Sequence, residues 1–160
     1  VIGDGEAAAA GAATAAREAG LPVTIATTTM TGEARFQALR CLEQSGPGAT
    51  IFAGETTVKV TGKGRGGRNQ EAALTAARTL TGDSTTIFAA LGTDGVDGPT
   101  EAAGAMVDGS TLARGAKLGL DPQRYLADND SGTYLAATGD LLITGPTGTN
   151  VGDLWIVIRE

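Results

Sequence analysis

Gly62-Lys63-Gly64-Arg65-Gly66-Gly67-Arg68-Asn69-Gln70-Glu71 is the stretch on which the reading of this chain turns. Before it, Thr56-Thr57-Val58-Lys59-Val60 is strand-like; after it, Ala72, Ala73, Ala76, Ala77 and Leu80 recur on one helical face. The unit is strand, glycine-rich loop, helix. Glycines let a backbone bend tightly and approach a neighbour closely, because no Cβ intervenes. The first N–H groups of the helix lack intrahelical partners and carry partial positive charge. Lys63, Arg65 and Arg68 add full charges there, on a chain of net charge −6. Two readings stand side by side: an anion site for phosphate or carboxylate, and a surface loop whose charges keep it soluble. No Gly-Lys-Ser or Gly-Lys-Thr closes the loop, so it is not a Walker loop. No Gly-x-Val follows, so it is not a protein-kinase glycine loop.

Working outward, 160 residues make one domain, or one domain plus part of another. Apolar residues are 41% of the chain but aromatics only 4%, so small side chains bring helices close to a sheet. No apolar run reaches the roughly 18 residues that cross a bilayer, so no membrane is expected. One cysteine, Cys41, excludes an internal disulfide and fits a reducing cytoplasm. The absence of histidine excludes histidine acid–base chemistry and histidine-ligated zinc. A pI near 4.6 with few aromatics argues against nucleic acid. Val1 is not Met and opens a strand-like run, Val1-Ile2-Gly3, which reads as a piece of a longer protein.

Upstream of the loop, Glu6–Ala19 is expected to be helical, with Asp4 as N-cap and Gly20 as stop. Leu21–Ala26 reads as a strand, Thr27–Thr31 as a loop, and Gly32–Gln44 as a helix with Phe36, Leu39 and Leu42 on one side. This alternation is the grammar of a parallel sheet. Gly3-Asp4-Gly5-Glu6-Ala7-Ala8 matches a dinucleotide fingerprint, but Ala26, Thr27 and Thr28 stand where its acidic residue belongs; an ordinary strand-to-helix turn is the better reading. Ser45-Gly46-Pro47-Gly48 is the best domain boundary. Thr50–Ala53 and Thr56–Val60 follow as two strand-like runs.

Downstream, Thr85–Leu91 alternates little, which fits burial on both faces of a central sheet. It ends in Gly92-Thr93-Asp94-Gly95-Val96-Asp97-Gly98-Pro99-Thr100-Glu101, at the strand end where open α/β sheets bind ligands. Asp94 and Asp97 suit hydrated Mg²⁺ or a hydroxyl proton; taken alone, the loop reads rather as a turn in which they bond their own backbone. Ala105–Val107 is a short strand; helices follow over Ser110–Leu118, from Asp121-Pro122 to Ala127, and from Asn129-Asp130-Ser131 to Gly139. Leu141–Thr144 and Leu154–Ile158 close the fold. Their linker, Gly145-Pro146-Thr147-Gly148-Thr149-Asn150, is either a cover over a ligand or a plain hairpin turn. The expected fold is a three-layer α/β/α domain with a mixed, largely parallel sheet.

Three blocks carry a family resemblance: Gly54-Glu55-Thr56-Thr57-Val58 into Gly62–Glu71, Gly92–Gly104, and Thr144–Val151 with Asp153-Leu154. Together they resemble the C-terminal MOFRL domain of class II glycerate kinases, the glycerate 2-kinase group, some of whose members carry the older name hydroxypyruvate reductase. The resemblance covers about Thr50–Ile158, and assigns 47–160 to a MOFRL-like domain and 1–46 to the βαβα end of the associated N-terminal domain. It departs from the pattern at Ala53, where glycine is frequent, and at Gly152, where asparagine is usual.

The resemblance implies ATP-dependent phosphorylation of D-glycerate to 2-phosphoglycerate with Mg²⁺, in a cleft to which the N-terminal domain of the same protein contributes. Arg68, Asp94 and Asp97 are then the expected catalytic residues, with Asp94 and Asp97 also as metal ligands. Lys63, Gly64, Arg65, Gly66, Gly67 and Asn69 are expected at the nucleotide, with Thr147, Thr149 and Asn150 closing over it. Partners are glycerate, nucleotide and the N-terminal domain; a homodimer is open. The alternatives are a non-catalytic anion-binding domain and an NAD(P)H-dependent hydroxypyruvate reductase.

Overall fold

The computed structural model describes residues 4–160. The strand-like run Val1-Ile2-Gly3, and with it the first glycine of the fingerprint, lies outside them. The described residues form helix α1 (Gly5–Glu18), strand β1 (Val23–Glu33), α2 (Ala34–Gln44), β2 (Gly48–Thr57), α3 (Arg68–Thr79), β3 (Thr86–Gly92), β4 (Gly104–Asp108), α4 (Thr111–Lys117), α5 (Pro122–Ala127), α6 (Ser131–Thr138), β5 (Leu141–Leu142) and β6 (Asp153–Arg159).

All the strands join one sheet in the order β1-β2-β6-β3-β4-β5. It is mixed, but the expectation of a largely parallel sheet is corrected. Only β1 and β2 pair in parallel; β2–β6, β6–β3, β3–β4 and β4–β5 are antiparallel. The reason is β6, which runs back through the middle of the sheet and turns both neighbours against it. The expected α/β/α layering is present. Phe52, Phe88, Trp155 and Val157 point to one face, under α2, α3 and α6; Ile51, Ala53, Leu154 and Ile156 point to the other, under α1. The alternation of successive side chains across a strand divides them in this way.

α3 is the central helix. Its Ala72, Ala73, Ala76 and Ala77 and the C-cap Leu80 are buried as their spacing predicts. Alanine lets this helix sit close on the sheet, where Phe88 and Trp155 meet edge to face with centroids 5.6 Å apart. In α2 the buried stripe is Ala34, Ala38, Cys41 and Leu42, while Phe36 and Leu39 face outward. Burial pushes the Cys41 thiol up to about 12. Asp4 and Asp121 cap their helices through Ala7 N and Gln123 N, both at 2.9 Å.

Three local expectations change. Thr27–Thr31 is strand, not loop: β1 runs on to Glu33 with register shifts between Ile25 and Met30. The two runs around Gly54-Glu55 join into one strand that stops at Thr57 and leaves 58–60 outside it; Gly54, with a φ of +155°, lies so close to Met30 that a Cβ would overlap its backbone. β3 is buried on one face only. α1 covers β1, β2 and β6, which leaves Ile87 and Met106 exposed on the far side. The stretch expected as the boundary, Ser45–Gly48, joins α2 to β2; β1 pairs with β2 across it, and α2 shares a core with α3. A glycine–proline turn serves an αβ connection as readily as a linker between domains.

Candidate active site

The carboxyl ends of β1, β2 and β3, the start of β6 and the start of α3 converge at one edge of the sheet. An open groove of about 970 Å³ runs along it, walled by Thr31, Glu55, Thr56, Gly66, Gly67, Arg68, Asp94, Asp97 and Asn150 among others.

Behind its wall lies Asp153, the first residue of β6, fully buried between Gly54 and Gly92 on the flanking strands. Its Oδ2 accepts from Thr56 N at 2.9 Å and Thr56 Oγ1 at 3.1 Å. Its Oδ1 accepts from Asn69 Nδ2 at 3.0 Å. Arg68 Nε donates to both oxygens, at 3.0 and 2.9 Å. The guanidinium thus presents its two Nη groups to the groove, where Glu55 Oε1 lies 3.7 Å from Nη2. Asn69 is held in turn by Trp155 Nε1, which donates to its Oδ1 at 2.7 Å.

Asp97 borders the groove, but both its carboxylate oxygens are engaged by the start of α3. It is buried and caps α3 from a different loop: Asn69 N and Nδ2 donate to Oδ1 at 3.1 and 3.2 Å, and Gln70 N donates to Oδ2 at 2.8 Å. The helix N–H groups that the sequence suggests for phosphate are therefore occupied by a carboxylate of the protein. Burial pushes Asp97 up to about 6, against the N–H donors that lower it and with the negative Asp153 nearby adding to the rise. Asp94 makes a turn through Oδ1, which accepts from Val96 N at 3.0 Å, while Oδ2 takes a long 3.4 Å bond from Asn150 Nδ2.

The glycines of the loop have a structural cause. The α5–α6 junction, Asp128-Asn129-Asp130, clasps the loop backbone: Asn129 Oδ1 accepts from Thr61 N and Gly62 N at 2.7 and 2.8 Å, Asp128 O from Gly64 N at 2.8 Å, and Asp130 Oδ1 from Arg65 N at 2.8 Å. Asn129 adopts a φ of +54° and also donates to Glu71, which is buried and paired with Arg35. A Cβ on Gly62, Gly64, Gly66 or Gly67 would overlap Asp128, Asp130, Ser131 or Asp97 respectively.

Of the residues picked from sequence, Arg68, Asp94, Asp97, Asn150, Gly66 and Gly67 share the groove, while Lys63, Gly64, Arg65, Asn69, Thr147 and Thr149 do not line it. Lys63 and Arg65 project from the clasped loop into solvent; Arg65 Nη2 donates to Pro99 O at 3.1 Å. Asn69 is buried behind Arg68. Thr147 Oγ1 is spent on Thr93 O, tying the linker to the β3 end. Sequence reasoning missed Asp153 and Glu55 as site groups. A lone carboxylate opening the apolar run Leu154–Ile158 was the available signal for Asp153.

For Mg²⁺, no group of three or more acidic, cysteine or histidine side chains is gathered to hold a metal among the described residues. Mg²⁺ needs only one or two carboxylates when substrate phosphates complete its shell. The chemistry of the groove carboxylates Asp94 and Glu55 fits that; Asp97, with both oxygens on N–H donors, does not.

The MOFRL family model matches residues 48–153. A D-glycerate 2-kinase of Thermotoga maritima is 58% identical over 110 residues, 69% of this chain and 26% of that protein. A glycerate 2-kinase of Pyrococcus horikoshii is 42% identical over 158 residues, 89% of this chain and 36% of its own length. The crystal structure of a glycerate kinase from Thermotoga maritima superposes with a TM-score of 0.93 at 46% identity, over 99% of this chain and 41% of that one. The chain thus spans well under half the length of the relatives it matches.

Proposed function

This chain belongs to the MOFRL family, and from that premise we propose that it is the C-terminal portion of an ATP-dependent glycerate 2-kinase, a cytoplasmic enzyme that converts D-glycerate to 2-phosphoglycerate and ADP. The observation that carries the reading is the Arg68 guanidinium, fixed through Nε by a buried carboxylate and offering its Nη fork to an open groove at the carboxyl end of the sheet. Charge on a transferring phosphoryl group spreads over its equatorial oxygens, which a planar fork of donors matches.

In this reading the 2-hydroxyl oxygen of glycerate bonds to the γ-phosphorus, and the bond from phosphorus to the β,γ-bridging oxygen breaks. The hydroxyl proton passes to the Asp94 carboxylate, and Asn150 steadies that carboxylate. Arg68 binds the equatorial oxygens. Asp97 keeps the loop that bears Asp94 against the start of α3. Glu55 would hold Mg²⁺ bound with the nucleotide, and the ion would supply charge neutralisation there. The remaining contacts come from the N-terminal domain of the same protein.

The test is Arg68→Lys in the full-length enzyme, followed by coupled ADP release. Lysine keeps the charge and loses the fork, so kcat is expected to fall on the order of 10²-fold or more, as on removal of one preorganised donor. Unchanged kcat with an unchanged thermal melt would refute the site assignment.

A further inference from the structure

We infer that Asp153 is a positioning residue for phosphoryl transfer, acting through Arg68; the inference rests on the reading of Arg68 above. An arginine on the rim of an open groove has many rotamers and two edges, Nε/Nη and Nη/Nη, that can grip phosphoryl oxygens in parallel; with Nε taken by Asp153, the edge left for a ligand is the Nη pair. Asp153 selects among them by taking Nε with both oxygens. It can do so because its carboxylate is buried and hydrogen-bonded through both oxygens. Thr56 holds Oδ2 with two donors, Asn69 holds Oδ1, and Trp155 holds Asn69. Gly54 and Gly92 flank it in register on the adjoining strands.

The residue is in the sheet while its effect is in the groove. A buried ion pair kept only for stability requires no particular nitrogen of the guanidinium to face it. Here the pairing occupies the one N–H that is not part of the Nη fork; the fork's own partner is the exposed Glu55, whose Oε1 is 3.7 Å from Nη2, a distance that leaves the fork open to a ligand.

The experiment is a double-mutant cycle in the full-length enzyme, read as kcat/KM by ADP release, with thermal melts on each variant. Asp153→Asn keeps the size and an acceptor but loses the charge that holds Nε. It is expected to lower kcat/KM by roughly 10-fold or more in the wild-type background and to add no further loss to Arg68→Ala, since directly coupled residues are not additive. A purely structural residue gives the same fold-loss in both backgrounds, and that result would overturn the inference, as would wild-type kcat/KM in Asp153→Asn. Should Asp153→Asn not fold, Thr56→Val carries the same cycle. It removes the hydroxyl donor to Oδ2 and leaves the Thr56 N–H in place, and a loss of a few fold is expected in the wild-type background only; equal losses in both backgrounds overturn the inference. Wild-type turnover in Arg68→Ala alone refutes the site reading itself, whereas a large loss there with multiplying Asp153 effects refutes only the role of Asp153.

Discussion

Replacing Gly64 by alanine separates two reasons for a glycine-rich loop. If the glycines admit a ligand, the variant folds normally and binds poorly. If they admit the α5–α6 junction, the variant is unstable. An added Cβ would overlap that of Asp130 and lie 2.6 Å from Asp130 Cα and 2.7 Å from Asp128 O. None of these atoms can swing aside as the end of a side chain can, so the loop must lift. Lifting removes the bonds from Lys63 N to Asp128 Oδ1, Gly64 N to Asp128 O and Arg65 N to Asp130 Oδ1, at 3.0, 2.8 and 2.8 Å. At a net contribution of about 1 kcal/mol each, the loss is about 3 kcal/mol. For a chain of this size that lowers Tm by roughly 6–12 °C. Urea unfolding followed by fluorescence of the buried Trp155 measures it: the midpoint falls while the m-value holds. Gly46→Ala is the control, since no atom lies within 4 Å of its Cβ; it is expected to stay within about 0.5 kcal/mol of wild type. A Gly64→Ala protein with the wild-type midpoint would refute the clasp as the cause of the glycines.

Two further outcomes follow from single positions. Gly11 lies inside α1 with nothing within 4 Å of its Cβ, so Gly11→Ala is expected to stabilise by about 0.5–1 kcal/mol, read as a higher urea midpoint; a lower one would refute it. Asp97 has a folded pKa raised from 3.8 to about 6, so its protonated form favours the folded state. That contribution is complete below about pH 4 and is lost as pH rises through about 6, a change of about 3 kcal/mol at 1.36 kcal/mol per unit. The difference in unfolding free energy between wild type and Asp97→Asn is expected to shrink over this window, and a difference independent of pH would refute the raised value.

The helices were legible because their signals are local. Asp4, Asp121-Pro122 and Gly139 mark ends through caps and turns within a few residues, and the alanine stripe of α3 names its own buried face. Strand direction was not legible. A βαβα opening suggests parallel pairing, and nothing in Leu154–Ile158 says that this strand inserts between β2 and β3. The site was legible in part for the same reason. The Gly62–Glu71 and Gly92–Glu101 stretches show their polar residues openly, and the fold brings Arg68 and Asp94 to one groove. What sequence could not show is what the neighbours of those residues are. Glycines that look made for phosphate are filled by Asp128 and Asp130, and a helix start that looks open is capped by Asp97, 28 residues on from Asn69. Both facts depend on contacts far apart in the chain.

The place of β6 has a consequence for how the molecule comes into being. It follows every other strand of the sheet in the chain, yet it sits between β2 and β3 and brings Asp153 and Trp155 with it. While the ribosome is still making residues 1–152, the two halves of the sheet have an unfilled slot between them, Arg68 has no carboxylate against it, and α3 has no tryptophan beneath it. Nascent chains must therefore keep two hydrophobic edges apart until the closing strand arrives, a state in which long-range pairing is slow and exposed edges invite association. A stop codon at Asp153 would remove only the last short stretch of the residues described here, and leave neither a complete sheet nor a groove with an oriented cation.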